Sequence, residues 1–225
     1  MNRLLLRSLV SLLILISIMG GIVFVSAGTT HYPEAWWYLL AFGISSLMTT
    51  LDLVKRDPAL LERRLRGGPQ AEQEPRQRLI MSIASLGFVS LLVIPGLDHR
   101  FGWSGVPGYL AWLGIGLLLA GFFFIDQVYR ANTYTAATIR VEEGQSVAST
   151  GPYGTVRHPM YAGALLYLAG TPLALRSYWG FAGLAVMLPA LICRLLDEEH
   201  LLAKQLPGYR EYMTRVRFRL IPGVW

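Results

Sequence analysis

The sequence predicts an all-α integral membrane protein with about six transmembrane helices, the last two a tight hairpin, and a cytoplasmic C-terminal amphipathic helix. Three observations point there. The 225 residues are 53% hydrophobic and only 15% charged, with a mean hydropathy of +0.43, so there are too few polar groups to cover a water-facing exterior. The apolar residues fall in runs long enough to approach or span about 30 Å of hydrocarbon. The basic residues are segregated into alternate connections. Together these exclude disorder and argue against an ordinary soluble enzyme. The net charge of +6 and pI of about 9.7 then reflect loops facing anionic lipid, and no nucleic-acid partner is read from them.

The apolar runs extend approximately over Leu4–Val25, Ala35–Val54, Leu79–Pro95, Val106–Val128, Pro159–Leu175 and Tyr178–Leu195. The first follows Arg3 and Arg7 and ends at Val25-Ser26-Ala27-Gly28, which also suits a cleaved secretory signal; its length favours a retained span. The last two are shorter and separated only by Arg176-Ser177, hence the hairpin. Eighteen of the twenty Lys and Arg residues lie in the N-terminal tip, from Lys55 to Arg78, from Arg130 to Arg157, or from Arg194 to Arg219; Arg100 and Arg176 alone lie on the other side. This places both termini in the cytoplasm, at a bacterial inner membrane. The connection Lys55–Arg78 reads as a solvated linker touching headgroups. Two regions follow: 1–130 with the first four spans, and 131–225 with the chemistry. No internal repeat is visible, against the usual transporter architectures.

Asp126 and Arg130 are four residues apart at the end of the fourth span and read as an ion pair. Gly151-Pro152 and Gly154 mark turns, and His158-Pro159 starts a helix. That helix start would bring free backbone N–H groups together with Arg157 and His158, which suits a carboxylate or phosphate; equally, Arg157 could meet lipid headgroups while His158 caps the helix. Arg194 and Glu198 share a helix face as a potential ion pair, in a crowd completed by Asp197, Glu199 and His200 that exceeds what one pair needs. Tyr209, Tyr212, Met213 and Val216 follow amphipathic spacing, along the interface or packed on the bundle. Cys193 is the one cysteine, so neither an internal disulfide nor a cysteine metal cluster is available, and no metal site is read. Gly114 and Gly116 read as helix-packing positions.

Gly151-Pro152-Tyr153 with Arg157-His158-Pro159-Met160-Tyr161-Ala162-Gly163, then Arg194, Glu198-Glu199 and Leu202, then Gly208-Tyr209 and Tyr212 before Arg219-Leu220-Ile221-Pro222, resemble the isoprenylcysteine carboxyl methyltransferase family. Related membrane methyltransferases of phospholipid amines share much of this pattern. The close likeness runs from Asn132 to Trp225. It implies S-adenosylmethionine as cofactor, contacted by Gln145, Ser146, Val147, Ala148, Tyr153, His158, Pro159, Met160, Tyr161 and Glu198; the cationic helix start adds Arg157 for the cofactor's carboxylate. It implies Arg194 as the acceptor-binding arginine. Gln145 and Thr138 stand where eukaryotic members carry a histidine and a glutamine.

In-line methyl transfer draws on positioning and water exclusion. A carboxylate acceptor needs no base and Arg194 would orient it; an amine or thiol must lose a proton, making Glu199, His158 or His200 the candidates. Arg194 and Glu199 are therefore the catalytic candidates. The partners implied are membrane lipids and a lipophilic acceptor, small, lipid or lipidated. The competing functions are an NADPH-dependent membrane reductase of similar layout and a non-catalytic scaffold or transporter.

Overall fold

A computed structural model describes residues 2–135, 137–141 and 143–225. Among these are eight α-helices and no strand: α1 Asn2–Ala27, α2 Pro33–Arg56, α3 Pro58–Leu65, α4 Pro75–Phe101, α5 Gly108–Ala131, α6 Pro159–Ala174, α7 Phe181–Gln205 and α8 Tyr209–Arg215. Proline opens α2, α3, α4 and α6, where its missing N–H costs nothing and its fixed φ suits the first turn. Gly102 ends α4 in the left-handed region at φ 67°, a conformation that glycine adopts without penalty.

Small residues set the packing. A Cβ on Gly114 would fall 2.2 Å from the Ala174 nitrogen, and one on Gly121 2.8 Å from the Gly163 carbonyl. The α5 and α6 backbones therefore approach as only glycine permits, and antiparallel. Gly87 of α4 and Gly183 of α7 make a second such contact, and Gly96 of α4 meets Ser26 of α1 a third. Gly116, by contrast, faces outward with nothing within 4 Å, so its expected packing role does not hold. α6 and α7 are joined by a short turn, yet α6 packs chiefly on α5 and α7 chiefly on α4; the glycine faces point to those partners.

α1 from Arg3, α2, α4 and α5 are long and apolar enough to cross a membrane. The sixteen residues of α6 are short for a straight crossing. Leu13, Met48, Leu86, Trp112 and Phe123 lie exposed on the four long helices, which suits a hydrocarbon surround, and the chain is an integral membrane protein. At one end of the bundle, buried Asp98 accepts hydrogen bonds from the Ser104 N–H (2.7 Å) and the hydroxyls of Ser104 and Ser177 (2.5 Å each). It thereby ties the end of α4 to the α5 approach and the α6–α7 turn.

At the opposite end the linker expectation fails. Between Lys55 and Arg78 the chain forms α3, capped by Asp57 through the Leu60 N–H (2.9 Å), and a 3₁₀ turn at Pro69–Ala71. Leu60 and Leu61 are buried. Burial of these leucines, invisible in a charge-rich stretch, folds the segment onto the bundle. Asp126 pairs with Arg130 at 2.7 Å as expected. Tyr209, Tyr212 and Val216 pack with Leu206 against Val141, Val147 and Leu202, so the face of α8 closes on the bundle.

Candidate functional site

A cavity of about 530 Å³ occupies this end, between α4, α5, α6 and α7 and lined above by residues 137–140 and 145–148 and by α8. Its polar part is walled by Gln145, Ser146, Val147, Ala148, Tyr153, Arg157, His158, Pro159, Met160, Tyr161, Arg194 and Glu198, together with Tyr209 and Tyr212. Those first twelve are Arg194 and every residue that the motifs assigned to a cofactor, drawn from four separate stretches. An apolar arm continues between the helices past Ala84, Phe88, Ile125, Ala164, Leu168, Met187 and Leu191. Ser85 and Val89 line the arm and are also exposed on the outer surface of α4, so the arm opens sideways towards lipid.

Glu199 does not line the cavity. Its buried carboxylate accepts from Arg157 Nε (2.8 Å) and from Arg219 Nε and Nη2 (3.1 and 2.9 Å), and lies 3.3 Å from His158 Nε2. Burial alone would raise this carboxyl, but the hydrogen bonds from His158, Arg157 and Arg219 outweigh it and hold it at about 2. A carboxylate so held is a poor proton acceptor near neutrality, and its hydrogen bonds tie the start of α6, α7 and the chain after α8 together. His200 is exposed and outside the cavity wall.

At the α6 start, read either as an anion site or as a headgroup contact with a His158 cap, the N–H groups just before the helix are engaged within the protein. The Arg157 and His158 N–H groups donate to the Phe218 and Arg219 carbonyls (2.9 Å each). Arg157 Nη1 donates to the Val216 and Arg217 carbonyls (2.9 and 2.7 Å). The donors counted as free are used to dock the chain after α8, a long-range pairing that local sequence could not reveal.

Arg194 is buried and does not pair with Glu198. Its Nη2 donates to Glu72 (2.7 Å) and to the Ala137 carbonyl (2.9 Å), and its Nη1 to Gln77 (3.2 Å). Gln77 in turn donates to Asp197 (2.6 Å). Glu198 instead accepts from the Tyr161 hydroxyl at 2.7 Å, leaving lone pairs turned to the cavity. The Tyr153 carbonyl accepts from Tyr212 (2.7 Å), and Asn132 donates to the Tyr153 hydroxyl (3.1 Å), fixing the turn against α5 and α8. Tyr209 lines the cavity, and its buried hydroxyl has no hydrogen-bond partner among the described residues. Burial first, then the charges of Glu198 and Glu199, push it upward, so it stays protonated and able to donate. Glu72 and Gln77, which hold Arg194, and Tyr209 in the cavity wall are candidate residues that the site assignment from sequence missed. The first two sit in a charge-rich linker without periodicity; only Tyr209 carried a signal, in Gly208-Tyr209.

The phospholipid methyltransferase family, which is isoprenylcysteine carboxyl methyltransferase-like, matches residues 109–207. The match begins within α5, earlier than the motif likeness, and stops before α8. This part of the chain therefore carries the pattern of a membrane methyltransferase family. A nickel-cobalt-cadmium resistance protein, NccN, of Alcaligenes xylosoxydans xylosoxydans is 28% identical over 131 residues, which cover 56% of this chain and 58% of that relative. The chain thus spans somewhat over half the length of this curated relative.

Proposed function

We propose that this protein transfers a methyl group from S-adenosylmethionine to a lipophilic acceptor at the cytoplasmic face of a membrane, with α6 and α7 completing six crossings. The observation that carries the proposal is the meeting of dispersed motif residues around one polar chamber that continues into a lipid-facing apolar arm. Basic residues gathered at the chamber's end of the bundle support its cytoplasmic placement.

The residues suit the cofactor's chemistry. Glu198 offers unused acceptor capacity to an ammonium group, the orphaned Tyr209 hydroxyl awaits an acceptor, and the cavity has the size of a small-molecule site. Arg157 is withdrawn from a direct role by Glu199 and two carbonyls, and instead holds the wall. When bound, the cofactor supplies a methyl group activated on a sulfonium. The protein's work is then to align the acceptor, with its apolar part in the arm, and to keep water out. Arg194 stands at the polar end of the arm to orient the acceptor head. For an amine acceptor His158, with Glu199 behind its ring, is the group to take the proton.

The test is binding of labelled S-adenosylhomocysteine to the purified protein, with Glu198→Gln as comparison, followed by incubation of membranes with methyl-labelled cofactor. Loss of one charge-assisted hydrogen bond, about 1.5–3 kcal/mol, weakens binding roughly 10- to 100-fold, and label enters the lipid-soluble fraction. Absence of saturable binding, or equal binding by the variant, would reject the proposal.

A further inference from the structure

We infer that Glu72 is a positioning residue: its carboxylate sets the Arg194 guanidinium in the cavity wall and thereby straps the α3–α4 connection over the site. The inference rests on the methyltransferase proposal for what the site does. It extends the functional unit into a stretch outside the family match, where no motif pointed.

Glu72 is only 3% exposed, an unusual place for a carboxylate unless it is paired. It does not line the cavity; Arg194 does. The 2.7 Å ion pair between them is buried on both sides, so neither charge is satisfied by water. Arg194 is oriented by three protein acceptors, Glu72, Gln77 and the Ala137 carbonyl. Glu72 belongs to the connection between α3 and α4, Gln77 to the first turn of α4, and Ala137 to the segment roofing the chamber. Beyond Arg194 the Tyr161 hydroxyl feels the charges of both Arg194 and Glu198. Glu72 therefore acts on the acceptor end of the cavity through Arg194, whose guanidinium it holds in the wall.

The end of α3 and the connection after it also lie against the roof. Arg63 donates to the Thr133 carbonyl at 2.5 Å. A Cβ on Gly67 would come 2.8 Å from that of Ala137, so the chain lies directly against the segment whose carbonyl Arg194 holds. Glu72 is the buried charged link in this strap. Its own carbonyl accepts from Arg78 (2.7 Å), which fixes the turn presenting the carboxylate.

The experiment compares wild type, Glu72→Gln and Glu72→Asp, full length in detergent. The measurements are methylation kinetics with phosphatidylethanolamine vesicles and N-acetyl-S-farnesylcysteine as probes, S-adenosylhomocysteine binding, thermal unfolding, and tryptic cleavage after exposed Arg66 and Arg76. Displacement of Arg194 by about 1 Å is expected to lower kcat/KM for the acceptor on the order of 10- to 100-fold. Affinity for S-adenosylhomocysteine stays within about threefold, cleavage in Glu72→Gln accelerates, and Glu72→Asp recovers part of the rate. Unchanged kinetics in Glu72→Gln would overturn the inference. So would parallel loss of homocysteine-analogue binding, unfolding temperature and activity without rescue by Asp, since that marks a purely structural pair. If wild type binds no S-adenosylhomocysteine or methylates neither probe, the methyltransferase proposal falls. The strap is then judged by proteolysis alone: faster cleavage in Glu72→Gln supports it and equal cleavage overturns it.

Discussion

Glu199→Gln separates a structural carboxylate from a catalytic one. In the folded protein Glu199 meets Arg157 at 2.8 Å and Arg219 at 2.9 Å with His158 beside it. Gln keeps one acceptor oxygen but turns an NH₂ towards one of the arginines and leaves the Arg157 charge, buried with its side chain, uncompensated. Removing one member of a buried ion pair costs about 3–5 kcal/mol, and at roughly 2–4 °C per kcal/mol for a chain of this size the unfolding temperature should fall by about 6–20 °C. The pH dependence supplies the sign. The folded carboxyl sits at about 2, below its ordinary 4.5, so its stabilisation is complete above about 4.5 and is lost as pH falls through 2. Unfolding of both proteins in detergent, followed by tryptophan fluorescence between pH 7 and 3, should show the gap narrowing towards acid. An unfolding temperature within about 1 °C of wild type at pH 7 would refute the structural role. Loss of a near-neutral limb from the pH–rate profile, with stability intact, would restore Glu199 as a base.

Two further outcomes follow from packing and cavity shape. Gly114→Ala places a methyl group 2.2 Å from the backbone of Ala174; it should lower stability by about 1–3 kcal/mol. Gly116→Ala, open within 4 Å, should be neutral or up to about 1 kcal/mol stabilising, and equal thermal shifts for the two would show that α5 and α6 do not approach so closely. Ala164→Phe narrows the apolar arm: long-chain acceptors should suffer at least about a tenfold rise in KM, while short-chain acceptors and S-adenosylhomocysteine binding stay unchanged. Equal effects on both chain lengths would argue against the arm as the acceptor's path.

Helices, apolar spans and many of the residues that wall the cavity were legible from sequence because each rests on local information. A run of apolar residues calls for hydrocarbon wherever it lies, proline fixes its own φ, and the Arg157-to-Gly163 motif is contiguous. Partnerships between distant charges are not local. Arg194 and Glu198 are four apart and suggested a pair, yet Arg194 faces Glu72, 122 positions away in the chain. Glu199 looked like a reactive carboxylate until Arg157 and Arg219 enclosed it. Sequence alone thus determined that this is a helical membrane protein, and its C-terminal motifs picked out residues that wall one cavity. Only tertiary structure decided which carboxylates face the cavity and which hold it together. A charge chooses its partner by distance and burial, and both are properties of the packed bundle.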